Sequence, residues 1–210
     1  FLTTDAAIEA PLLQTYLKQA VDLSFNMITI DGDTSTNDMV IILANGESKG
    51  KAILKNTKEA RAFSHALNSI CQFLAIEIAR DGEGATRLIE IQVEGARNMT
   101  DARRAARIVA GSNLVKTAVH GADPNWGRIV ATVGRSGAKF NPSQIDLYLG
   151  ELCLMKDGRP QVFKRADAEA RLKEKEVTFR IDLNCGRGKA TAWGCDLSEE
   201  YVTINSAYTT

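Results

Sequence analysis

Apolar positions recur at helical spacing near the start of the chain. Leu12, Leu13, Tyr16, Leu17, Ala20 and Val21 share one face, with Thr4 or Asp5 placed to cap upstream, which predicts an amphipathic helix ending near Phe25. Two apolar runs, 27–30 and 39–43, then read as short buried strands joined by eight consecutive polar or glycine residues, 31–38. Asn45-Gly46 marks a turn and 51–54 extends an edge. The longest helical signal covers 57–80, with Ala60, Phe63, Leu67, Ile70, Cys71, Leu74 and Ile78 on one stripe, and Asp81-Gly-Glu-Gly84 ends it. A strand over 88–93 and a helix from Thr100 or Asp101 through Ala110 follow. A less regular stretch leads to Gly121-Ala-Asp-Pro-Asn-Trp-Gly127, whose Gly and Pro positions forbid a continuing helix, and 129–133 reads as a strand.

The last third is mostly β. Candidate strands are 145–149, 176–183, 189–194 and 201–205, with a charged helix over 166–175 that presents a solvated face. Val177, Phe179 and Ile181 alternate with Thr178, Arg180 and Asp182, the period of a half-buried strand. No repeat or flexible linker interrupts this order. Long helices beside mixed strands predict an α+β fold, with residues 1–210 forming one unit and no internal domain boundary.

Composition narrows the partners. Twenty-six basic residues balance 26 acidic ones, so no overall field favours nucleic acid or an anionic membrane. No apolar stretch approaches the roughly 18–20 residues that span a bilayer, and no secretory signal opens the chain. Cys71, Cys153, Cys185 and Cys195 are too sparse for a disulfide scaffold and read as buried free thiols of a reducing compartment, although a bridge between Cys185 and Cys195 stays open. His65 and His120 have no metal-ligand spacing around them. The chain starts at Phe1 instead of Met, which leaves open a precursor cut upstream.

Four segments carry enough polar chemistry to form a site. In Asp31-Gly-Asp-Thr-Ser-Thr-Asn-Asp38 the alternating oxygens mimic the start of a calcium loop, but the glycine sits second and no glutamate stands twelfth. A turn whose side chains satisfy their own backbone is the better reading. In Arg80-Asp-Gly-Glu-Gly-Ala-Thr86, two glycines permit a sharp bend from which Glu83 projects, a geometry suited to an amine. The segment from His120 to Arg128 reads as a rigid loop pinned by Pro124 and packed through Trp126; a His120–Asp123 catalytic pair lacks a nucleophile. Finally, Asn184-Cys-Gly-Arg-Gly-Lys-Ala-Thr191 resembles a phosphate loop without the right spacing, so a hairpin turn is preferred.

Taken together, the stretches Phe1-Leu-Thr-Thr-Asp-Ala6, Thr29-Ile-Asp-Gly-Asp-Thr-Ser-Thr-Asn-Asp38, Arg80 to Thr86, His120 to Arg128, Trp193-Gly-Cys-Asp196 and the Asn205 to Thr210 tail resemble one family, in order and without a gap. It is the bifunctional ornithine acetyltransferase/glutamate N-acetyltransferase family of arginine biosynthesis, and the chain is similar to its β chain. The resemblance implies a layered α+β sandwich of the self-processing N-terminal-threonine type, completed by an α chain from the same precursor and assembled in the cytoplasm as a heterotetramer of two α and two β chains. It also implies that the nucleophilic threonine opens a Thr-Met-Leu-Ala segment just before Phe1, outside this sequence. Thr3 and Thr4 do not match that position. Three residues carry over as substrate contacts: Glu83 in the bend, and Asn205 and Thr210 in the tail. The oxyanion-stabilising pair and a substrate-binding lysine belong to the α chain in this family.

The chemistry so implied moves an acetyl group from N2-acetylornithine to a threonine hydroxyl and then to glutamate, with the freed N-terminal amine as base. No cofactor or metal is implied, and acetyl-CoA stays open as a second acetyl donor. The competing readings are a related self-processing amidase or aminopeptidase, with water as acceptor, and a non-catalytic subunit.

Overall fold

The computed structural model of the chain describes residues 1–207, so the expected contact at Thr210 lies outside the described residues. In chain order the elements begin with β1 (Leu2–Thr4), α1 (Ala10–Leu23), β2 (Ile28–Thr29), β3 (Ile42–Ala44), α2 (Lys58–Arg80) and β4 (Leu88–Ala96). There follow α3 (Met99–Ala110), α4 (Asn113–His120), α5 (Trp126–Gly134), β5 (Asp146–Leu149), β6 (Leu152–Lys156) and β7 (Arg159–Pro160). The chain closes with α6 (Arg165–Leu172), β8 (Glu176–Asp182), β9 (Gly188–Cys195) and α7 (Glu199–Ala207). They form two compact units, one made of residues 1–26 and 34–77, the other of 27–33 and the chain from 78 onward. Strands and helices are mixed in both, and the fold is α+β.

In the first unit β1 and β3 pair in parallel, Leu2 against Ile42 and Thr4 against Ala44. Helices α1 and α2 bury Ala20, Leu67 and Cys71, with Tyr16, Phe25 and Phe63 packed around them. The predicted helix over 12–25 therefore forms, but its start differs. Glu9, and neither Thr4 nor Asp5, takes the N-cap position, and Pro11 in the first turn supplies a preset φ. Helix α2 starts as its stripe predicts, with the Thr57 hydroxyl accepting from Ala60 N at 3.1 Å.

The second unit is built on a seven-stranded mixed sheet of order β2-β9-β4-β8-β5-β6-β7. Its centre is β4, parallel to β8 and antiparallel to β9. Inward residues of these strands (Ile89, Ile91, Val93, Val177, Phe179, Ile181) are buried, as alternation predicts. Helix α3 packs on β4 and β9 through Ala102, Ala105, Ala106, Val109 and Ala110. The small side chains bring its backbone so close that a Cβ on Gly194 would meet Ala110 O at 3.1 Å.

Several expectations fail, each for a physical reason. The strands expected on either side of residues 31–38 do not form a hairpin: β2 joins β9 and β3 joins β1, in different sheets, and neither strand is fully buried. Residues 129–133 are helical in α5. Their β-branched run suggests a strand, but Ile129, Thr132 and Val133 are the buried set, and that is a helical spacing. The irregular stretch before Gly121 contains α4. The expected strand over 201–205 lies in α7, which has no buried residue among those described, so no apolar face announced it. The glycine-rich segment after β8 is not a hairpin between neighbours, because β8 and β9 flank β4 on opposite sides. Gly186 and Gly188 are required there by packing: a Cβ on either would lie 2.4 Å from Ala96 O or 2.2 Å from Asn98 O.

Candidate functional site

The bend that ends α2 carries Glu83 between two glycines. Gly84 adopts a left-handed φ of 65°, and a Cβ there would lie 2.6 Å from Tyr201 N. Only glycine lets the start of α7 come this close. Gly82 is tight for another reason: its Cβ would lie 2.8 Å from Cys195 Sγ and 3.2 Å from the Ile30 side chain. The backbone closes the turn through Ala85 N to Gly82 O, at 2.9 Å.

Helix α7 faces the same bend. Asn205 Nδ2 donates to Glu83 Oε2 at 2.6 Å and to Tyr201 O, one turn back, at 3.0 Å. Tyr201 in turn donates its hydroxyl to Asp31 Oδ2 at 2.9 Å. Burial, that hydrogen bond and the charges of Asp31, Glu83 and Asp33 push the phenol up to about 12, so it stays a donor. Two of the residues singled out by sequence are thus brought together across 122 positions of chain.

Of the polar octet, all eight residues are exposed. Asp31 Oδ1 accepts from Asp33 N at 2.9 Å, and Ser35 Oγ accepts from Asn37 N and Asp38 N at 3.2 and 3.3 Å. These are local turn bonds, as the preferred reading holds. Asp31 also reaches a distant segment, through Tyr201.

Behind the bend lies a centre that the residue pattern does not single out. Asp196, 1% exposed, accepts from Thr86 N at 2.7 Å, Thr86 Oγ1 at 2.6 Å and Arg87 N at 2.8 Å, and faces His120 Nδ1 at 2.8 Å. The Arg87 guanidinium stands 3.7 Å away and donates to Val119 O and His120 O. Burial would raise the Asp196 carboxyl, but the hydrogen bonds from Thr86, His120 and Arg87 outweigh it and hold the group below its ordinary range. Ser198 Oγ, two residues on, donates to Gly84 O at 2.6 Å. His120 therefore pairs with Asp196 and not with the nearer Asp123, which a sequence distance of 76 residues conceals.

Lys116 is also hidden. It is fully buried on α4, donates to Ile30 O, and stands 3.6 Å from Cys195 Sγ. Burial pushes the Cys195 thiol up, against the opposing pull of Lys116. All four cysteines are free, Cys71 and Cys195 buried, Cys153 half-buried and Cys185 exposed, so the expectation of burial fails for the last. A lysine between Val115 and Thr117 looks like any surface lysine; its only signal is that Val115, Ala118 and Val119 on the same helix are apolar.

As chemistry, the arrangement offers a projecting carboxylate and a carboxamide, together able to receive an ammonium and a second polar group, on a bend held from behind by a buried anion. No helix among the described residues is long and apolar enough to cross a membrane.

Comparison with known proteins addresses the family and the fold. The chain is 56% identical over all 210 residues to the arginine biosynthesis bifunctional protein ArgJ of Symbiobacterium thermophilum, and 49% identical to that of Bacillus subtilis. It covers 52% of each, so it spans about half the length of the curated relatives it matches. The crystal structure of arginine biosynthesis bifunctional protein ArgJ from Bacillus halodurans superposes with a TM-score of 0.96 at 45% identity, over 99% of this chain and 98% of that one. The model of the ArgJ family matches residues 1–210, and the chain belongs to that family.

Proposed function

We propose that this chain is the β portion of an N-acetyltransferase of arginine biosynthesis, moving an acetyl group from N2-acetylornithine to glutamate through an acetyl-threonine intermediate. Glu83 binds the substrate ammonium, and Asn205 and Thr210 bind its polar ends. The threonine lies just upstream of Phe1, and an α chain cut from the same precursor contributes the oxyanion donors, giving a cytoplasmic heterotetramer of two chains of each kind. No metal or cofactor takes part; acetyl-CoA serves, if at all, as a second acetyl donor.

The observation that carries the reading is the Glu83–Asn205 pair. A carboxylate and a carboxamide 122 residues apart meet at 2.6 Å on an exposed bend, where they support no core. Both substrates carry an ammonium, on the side chain of N2-acetylornithine and on the α-carbon of glutamate, so one carboxylate can receive either. Membership of the ArgJ family supports the reaction class.

The test is an assay of the full-length protein with N2-acetylornithine and glutamate, following N-acetylglutamate and free acetate separately. Transfer is expected. Glu83→Ala should lower kcat/KM roughly 10–100-fold, the scale of a lost hydrogen bond to a charged group. Release of acetate without transfer would favour an amidase, and an unchanged Glu83→Ala enzyme would remove Glu83 from the site.

A further inference from the structure

We propose that Asp196 is a positioning residue for the substrate-binding pair, orienting the bend that carries Glu83 and the helix that carries Asn205 as one piece. The proposal rests on the reading of Glu83 as a substrate contact.

A carboxylate set between two glycines has little local reason to hold one direction, because glycine leaves its backbone widely free. The bend is fixed from the side away from Glu83 instead. Among the described residues, three of the four close contacts to the Asp196 carboxylate come from the residues three and four positions after Glu83: Thr86 N, Thr86 Oγ1 and Arg87 N. The fourth is His120, whose other ring nitrogen stands 3.4 Å from Glu199 in the first turn of α7. Ser198 adds a bond from the same stretch to Gly84 O. One buried anion therefore reaches the bend directly and α7 through His120, while Arg87, bonded to His120 O and 3.7 Å from the carboxylate, balances its charge. A shift in this centre moves Glu83 and Asn205 relative to each other. Misplacement of about an ångström is enough to cost binding and turnover.

The test uses the full-length protein with N2-acetylornithine and glutamate as probes and compares Asp196→Ala, Thr86→Val, Thr86→Ser and Glu83→Gln. Thr86 is exposed, so its variants report even where Asp196→Ala does not fold. Thr86→Val should raise KM for both amino acids about tenfold while kcat changes less, and Thr86→Ser should restore it. Glu83→Gln with Thr86→Val should be no worse than Glu83→Gln alone, because the Thr86 change acts through Glu83. A Thr86→Val enzyme with lower melting temperature and unchanged KM, or effects that multiply in the double variant, overturns the positioning role alone. An unchanged KM in Glu83→Gln overturns the reading of Glu83, and this proposal with it.

Discussion

Two acidic regions of this molecule behave in opposite ways. Residues 31–38 hold three carboxylates, all exposed; Asp31 Oδ1 accepts from Asp33 N and Ser35 Oγ from Asn37 N and Asp38 N, two or three residues away. Asp196 is a single carboxylate, almost fully buried, and its donors come from 76 to 110 positions away. The first region is conspicuous and locally satisfied; the second is inconspicuous and ties distant segments. Local turn bonds on the surface exchange readily with water and contribute little, whereas a buried anion with several donors leaves all of them unsatisfied if it is removed.

The largest expected effect follows from that contrast. Asp196→Ala should destabilise the protein by about 3–5 kcal/mol, seen as a fall in the urea midpoint. Asp33→Ala and Asp38→Ala should stay within about 0.5 kcal/mol of the parent. Comparable losses at both places would break the comparison.

Gly84→Ala ranks next. Its left-handed φ and the 2.6 Å approach to Tyr201 N predict a cost of about 1–3 kcal/mol. Gly32, in the octet, also has a positive φ, yet a Cβ there would find its nearest neighbour at 3.9 Å, so Gly32→Ala should cost less. Thermal melting of the two variants compares them directly.

Acid titration sharpens the same point. The folded Asp196 carboxyl titrates below its unfolded value, so its contribution is present above about pH 4 and is lost as pH falls through the folded value. The unfolding free energy of the parent should drop over that window more steeply than that of Asp196→Ala.

A smaller effect is expected where Asp31 meets its distant partner, Tyr201. Tyr201→Phe removes the hydroxyl from Asp31 and should cost about 0.5–1.5 kcal/mol. In alkaline difference spectra, the phenolate component with a midpoint of about 12 should vanish in that variant.

Legibility from sequence follows the range of the interactions. The long helix of α2, the alternation of β8 and the glycine break at residue 82 are local patterns and appear as expected, except that Ile70 and Ile78 of the α2 stripe are exposed. Glu83 and Asn205 were reachable through family resemblance, and their meeting in space needed the fold. Helix α5 was misread because its β-branched residues and its helical burial pattern point to different elements. Helix α7 was misread because it buries none of its described residues and so shows no periodicity. Asp196 shows in sequence only as the end of the Trp193–Asp196 stretch, and Lys116 only as a lysine among apolar helix neighbours; what singles them out is burial created by segments far along the chain.

The register of the central sheet has a consequence for synthesis. Strand β9 lies between β2 and β4, and β4 between β9 and β8, so strands made early wait for partners made much later. Until the ribosome has delivered residues 188–205, β4 has an open edge, the Thr86 and Arg87 amides have no Asp196, and Glu83 has no Asn205. A chain that stops early is thereby marked as incomplete by an unpaired sheet edge, the kind of surface that aggregates or is removed.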